Sequence, residues 1–126
     1  MLPHVVPVTV GDSVVFVNKD QRFHSAFSVS PAKKFDLGSL RPGAARLASF
    51  DRRGVVRVFC KLHPDSSAFV FVSPTAVWVR PDAAGAFAFP PLPPGSYDVR
   101  VWHPVYGDRR RTVVLPEAGA AVAFDY

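Results

Sequence analysis

Proline and glycine punctuate this chain so densely that strands and turns are nearly the only ordered elements left to it. Thirteen prolines and eight glycines stand among 126 residues, and apart from residues 12–30 no stretch between two of them exceeds ten residues. Proline in a helix interior removes a donor and clashes with the preceding turn, and glycine there costs about 1 kcal/mol relative to alanine. No helix of ordinary length is expected. Between the breakers lie short runs rich in valine and phenylalanine, residue types that fit a pleated surface.

Read in order, "HVVPVTV" and "SVVFVNK" are two strands that predict a hairpin across Gly11-Asp12. The next segment, "DQRFHSAFSVSPAKKFDLGSLRPG", reads as irregular, with one short apolar run and with Gly38 and Pro42-Gly43 as breakers. "AARLASF" and "VVRVFC" repeat the hairpin logic across "DRRG", and "SAFVFVS" follows as a strand. From Pro74 the texture changes: "AVWV", "AFAF", "YDVRVW", "RRRTVVLP" and "AAVAFDY" are expected as strands separated by "DAAG" and "PPLPPG". These readings predict an all-β chain with two modules, residues 1–73 and 74–126, and no internal repeat.

The length suits one domain, or one domain with a small appendage, that buries a core without disulfide or metal support. A metal would then serve function more than folding. No run of about 18 apolar residues is present to span a bilayer as a helix. The net charge of +5 favours contact with acidic proteins, anionic surfaces or nucleic acid. The "DRRR" run at 108–111 reads as a solvated turn, without a stacking platform of aromatics, so nucleic acid is not expected as a partner. The start, "MLPHVVPVTV", lacks the basic and apolar regions of a secretory leader, which leaves an intracellular chain or one whose leader has been removed.

Cys60 is the only cysteine, so its use is packing, nucleophilic chemistry, metal ligation or nothing specific. It ends an apolar run, His63 lies three positions on, and Pro64 presets the backbone after it. A thiolate and an imidazole can therefore meet in one small volume. His24, just beyond the strand "VVFVN", is the candidate third ligand, because in a sandwich its loop can reach the same end. Two imidazoles and a thiolate form a trigonal set suited to an electron-transfer copper, and zinc is also acceptable to such donors in vitro. Neither an oxyanion hole nor a nucleophile elbow accompanies Cys60 and His63, so an enzyme is not expected. His4 and His103 read as surface or strand-end histidines.

These residues resemble the cupredoxins, and among them the amicyanin type. The resemblance covers about residues 1–73 and rests on Asn18, Asp20 and His24 in "N-x-D-x-x-x-H", on Cys60, His63 and Pro64 in the short loop, and on "FDLG" and "FDRRGVVRVFC". Residues 85–104 resemble a carboxypeptidase-regulatory-like, transthyretin-like β-module whose early strands are missing here, a combination found in proteins labelled methylamine-utilisation or plastocyanin-like. The resemblance implies a Greek-key β-sandwich, a copper site of His24, Cys60 and His63, outer-sphere electron transfer through the His63 edge to a redox partner protein, and a periplasmic or otherwise extracytoplasmic location. It also implies a supporting role for Ser25, where the family usually has asparagine, and for Asn18. Uncovered β edges add a route to self-association.

One position departs from the pattern. Ser66 stands where the family carries its axial methionine, and the only methionine is Met1. Three readings follow: copper with an oxygen from Ser66, Asp65 or water; a three-coordinate site; or a site that no longer binds copper. Copper storage or handling, and a metal-free interaction module in the same fold, are the alternative functions.

Overall fold

Alternation between inward and outward residues builds the first part of the chain into two sheets. In this computed structural model, which describes residues 4–61 and 67–124, the strands are β1 (His4–Thr9), β2 (Ser13–Val17), β3 (His24–Ser30), β4 (Lys33–Leu40), β5 (Ala45–Ser49), β6 (Gly54–Phe59) and β7 (Ser67–Ser73). They form a five-stranded sheet in the order β1-β7-β6-β3-β4 and a two-stranded sheet of β2 and β5. β1 runs parallel to β7, and every other pairing is antiparallel.

The two sheets close on one core. Val8, Ala26, Ala48, Phe50, Val56, Val58, Val70 and Val72 are buried together, with Val14 and Phe16 of the small sheet and Phe35 and Leu37 of β4 packed against them. Phe50 is wholly buried, and the edge of its ring contact with Phe35 is T-shaped at 6.2 Å between centroids. A side chain of that size contributes roughly 1.5–3 kcal/mol by leaving water.

Both expected hairpins are absent, for one reason. β1 pairs with β7 and β2 with β5, so the turn at Gly11-Asp12 carries the chain from one sheet to the other. Its amide donors go to Thr9 and Phe50 carbonyls, and Thr9 N–H donates to the Asp12 carboxylate at 2.9 Å. β5 and β6 likewise belong to different sheets, and "DRRG" is a crossing. Local turn chemistry specifies a reversal, while the partner is chosen by which apolar faces must meet.

The segment expected to be irregular contains β3 and β4. Its serines and lysines mask the pattern, yet β3 sits between β4 and β6 and buries Ser25, Ala26 and Ser28. A strand flanked on both sides can satisfy its backbone groups even when its inward side chains are small and polar.

The backbone divides into two compact units, the first ending at Trp78 and the second beginning at Val79. The second contains one antiparallel hairpin, β8 (Gly95–His103) with β9 (Gly107–Leu115). "DRRR" therefore lies in a strand, with Asp108 bridging Arg100 at 2.8 Å and Arg110 at 3.6 Å, rather than in a turn. "AVWV" and "AFAF" are not strands, nor are residues 120–124 of "AAVAFDY". At "DAAG", Asp82 N–H donates to Ala86 O and Gly85 N–H to Asp82 O, both at 2.9 Å, which is a turn with no ladder beyond it. No helix among the described residues is long and apolar enough to cross a membrane.

Candidate metal centre

The parity of β6 aims Cys60. Val56 and Val58 face the core, Arg57 faces out, and Cys60, the next inward position, is buried at 7% exposure just past the strand end. Across from it, β3 contains a register shift between Ser25 and Phe27. A bulge lets two neighbouring residues of one strand both turn inward, which regular alternation forbids. Ser25 and Ala26 are accordingly both buried, Ala26 in the core and Ser25 against Cys60.

The sulfur is surrounded by groups from this bulged end. Ser25 N–H donates to Cys60 Sγ at 3.2 Å, and Lys61 N–H donates to Ser25 Oγ at 2.7 Å. Ser25 thus ties the His24 strand to the Cys60 loop through both its backbone and its side chain. Amide donation to sulfur favours the thiolate, because it stabilises the charged form. The His24 ring stands beside it with Nδ1 3.7 Å from Sγ.

The other ring nitrogen is engaged. His24 Nε2 lies 2.9 Å from an Asp20 carboxylate oxygen. A hydrogen bond to carboxylate assigns the proton to Nε2 in the neutral ring and leaves the Nδ1 lone pair directed at the sulfur side. The same bond is the main cause that holds the Asp20 carboxyl down at about 2 and raises the His24 imidazole above its ordinary value, with Cys60 adding to the latter. Asp20 was visible in the sequence as part of a pattern, but its contact with His24 had no separate signal there beyond the four-residue spacing.

Asn18 is 4% exposed and holds the loops together. Its side-chain amide donates to Arg22 O and Leu40 O, both at 2.8 Å, and its carbonyl oxygen accepts from Asp20 N–H at 2.9 Å. Its backbone joins the turn at Gly43, whose φ of +81° suits glycine, through Gly43 N–H to Asn18 O at 2.8 Å. Beneath Cys60, Lys61 forms an ion pair with Asp36, whose carboxyl this pairing lowers, and lies over the Phe27 ring.

Of the residues singled out by sequence, His24, Cys60, Ser25 and Asn18 come together at this end of the sandwich. His63, Asp65 and Ser66 lie outside the described residues, and among the described residues no three His, Cys, Asp or Glu converge as a metal-binding group. His4 opens β1 and is exposed. His103 ends β8, where Nδ1 accepts from Val105 and Tyr106 amides and the ring stacks on Tyr106 at 4.7 Å.

Compared by sequence, the chain matches no family model and no curated protein. Compared by fold, it is similar to a purple cupredoxin from Nitrosopumilus maritimus, at 27% identity and a TM-score of 0.51 over 55% of this chain and 77% of that one. It is similar to a reduced amicyanin variant at 22% identity and 0.52, over 56% and 70% of the two chains. A copper-containing nitrite reductase from Thermus scotoductus matches at 24% identity and 0.53 over 56% of this chain but only 19% of its own. The fold is an all-β, cupredoxin-like one.

Proposed function

We propose that this protein is a copper-binding one-electron carrier, not an enzyme, with His24, Cys60 and His63 as ligands and an extracytoplasmic place of work. The observation that carries this reading is the pair His24 and Cys60: an imidazole nitrogen faces a buried sulfur at 3.7 Å while a carboxylate occupies the opposite ring nitrogen. That donor set, soft sulfur with oriented imidazole, fits copper. The copper proteins among the similar folds support the same reading.

Bound there, copper would supply a couple that gains and loses one electron. The chain's own part is to hold the donors still. Asp20 fixes the His24 tautomer, the Ser25 amide steadies the thiolate charge, and Asn18 locks the two loops. His63 enters as third ligand on its spacing from Cys60, and Ser66 as an oxygen donor or as space for solvent in place of the methionine. A hard oxygen there favours Cu(II) over Cu(I). Residues 74–126 are assigned a binding or scaffolding role, on the carboxypeptidase-regulatory-like pattern between Gly85 and Pro104.

The test is titration of the metal-free protein with Cu(II). An intense thiolate-to-copper charge-transfer band is expected, with reversible voltammetry separating a carrier from a storage protein. Cys60→Ala should abolish the band, and Ser66→Met should make the site bluer and raise its potential. A band that survives Cys60→Ala removes the thiolate from the site, and no band in the parent sinks the reading.

A further inference from the structure

A groove of about 480 Å³ opens beside His24, lined by Phe23, Ser39, Arg41, Ala44, Ala45 and Arg46. Phe23 immediately precedes His24, and Ser39 pairs with Ser25, so the groove borders the residues that face Cys60. Its walls are the segments that Asn18 staples: the side-chain bonds to Arg22 O and Leu40 O and the backbone bond from Asn18 N–H to Ala44 O at 3.0 Å. The shape is therefore held by the protein's own bonds.

Its chemistry is lopsided. Phe23 is 55% exposed, an unusual position for so large an apolar ring. Arg41 and Arg46 are exposed, and neither guanidinium pairs with a carboxylate among the described residues. The chain has no Asp or Glu between Asp36 and Asp51 to neutralise them. Asp20, on the same loop as Phe23, is engaged by His24 and Arg22. The imbalance is also regional, since residues 1–78 hold ten Lys and Arg against five Asp and Glu while residues 79–126 hold five of each. Arginine forks match carboxylates in two-point geometry, and arginine with an exposed aromatic is the composition of an interface centre.

We propose that this groove docks an acidic protein partner, whose carboxylates pair with Arg41 and Arg46 while an apolar side chain lies on Phe23. The proposal rests on the carrier reading in that it names the partner chemistry at the metal end. Its geometry, however, needs no metal. A nucleic acid fits less well, because one ring with no second aromatic in the groove is no stacking platform for successive bases.

The experiment uses the metal-free full chain, with amide shifts followed by NMR as poly-L-glutamate is added at low salt. Saturable shifts are expected at Phe23, Ser39, Ala45 and Arg46, shrinking as salt rises. The double variant Arg41→Glu, Arg46→Glu should weaken binding about tenfold or more. The control Arg52→Glu, Arg53→Glu makes the same change in net charge in a different cleft, lined by Arg52 and Arg53 with Pro31 and Ala32, and should leave the groove shifts nearly as they were. Shifts spread over all arginines, equal losses in the two double variants, or tighter saturation by single-stranded oligothymidylate would each overturn the proposal. Copper titration of the same sample reports separately: a missing charge-transfer band defeats the carrier reading without touching the groove result, and a normal band with no groove shifts does the reverse.

Discussion

Residues 68–72, "AFVFV", and residues 86–89, "AFAF", are written in nearly the same alphabet, yet only the first forms a strand. β7 lies between β1 and β6 and pairs with both over residues 68–72, burying Val70 and Val72. "AFAF" has the turn Asp82–Ala86 before it and an edge-to-face contact between Phe87 and Phe89, but no ladder partner among the described residues. Alternation makes a segment competent to be a strand. A neighbouring backbone with an apolar face to share makes it one. The first unit has such neighbours on two sheets, and the second has, among the described residues, a single hairpin, which by itself is marginal.

The sharpest break of this comparison is Phe50→Ala. Loss of a wholly buried ring from the core of the first unit should cost about 3–5 kcal/mol in chemical denaturation. The β8–β9 amides should keep their exchange rates in the same sample, and a matching loss there would mean that the two units unfold as one. Next in size is Asn18→Ala, which strands the Leu40 and Arg22 carbonyls and should cost about 1–3 kcal/mol, read from the denaturation midpoint.

A smaller effect tests the Asp20–His24 pair. Asp20→Asn should bring the raised His24 imidazole back down toward its ordinary value in the metal-free protein, followed by NMR titration of the ring. The sign for stability follows from both partners. His24 contributes fully below 6.5 and loses its share as pH rises through its raised folded value, and Asp20 contributes above 3.8 and loses its share as pH falls through about 2. The pair therefore helps most between those two ordinary values, and the variant's deficit should peak in that window. An unshifted His24 in Asp20→Asn removes the carboxylate from the site. The smallest effect is expected in the second unit: Asp108→Asn, which breaks half-exposed bridges to Arg100 and Arg110, should change stability by no more than about 0.5–1 kcal/mol.

The pair His24 and Cys60 was singled out before any fold was known, because donor type is a property of the residue itself. The structure sets these two 3.7 Å apart, Asn18 and Asp20 were marked by the resemblance to the cupredoxins, and His63 and Pro64 lie outside the described residues. The buried roles of Ser25 and Asn18 could be assigned as supports, but the bulge that turns Ser25 toward the sulfur has no sequence mark of its own. The groove of Phe23, Arg41 and Arg46 was not legible at all, since its walls are separated by about twenty residues and are brought together by the β3–β4 pairing and the bonds of Asn18.

The sequence by itself determined that the ordered elements are strands: proline and glycine exclude helices, and runs such as "VVRVF" and "SAFVFV" are rich in β-branched and aromatic residues. It determined also that the chain has one thiol, Cys60, three positions before His63. Which strand pairs with which was decided by the tertiary structure. Gly11-Asp12 and "DRRG" look like hairpin turns because a turn is a local property of four residues, whereas pairing is a contest among all strands for the same buried face. β3 shows this most plainly. Its serines and half-buried histidine carry little propensity or hydrophobic pattern, and it is a strand because β4 and β6 supply hydrogen-bond partners on both sides and the bulge aims its side chains at Cys60.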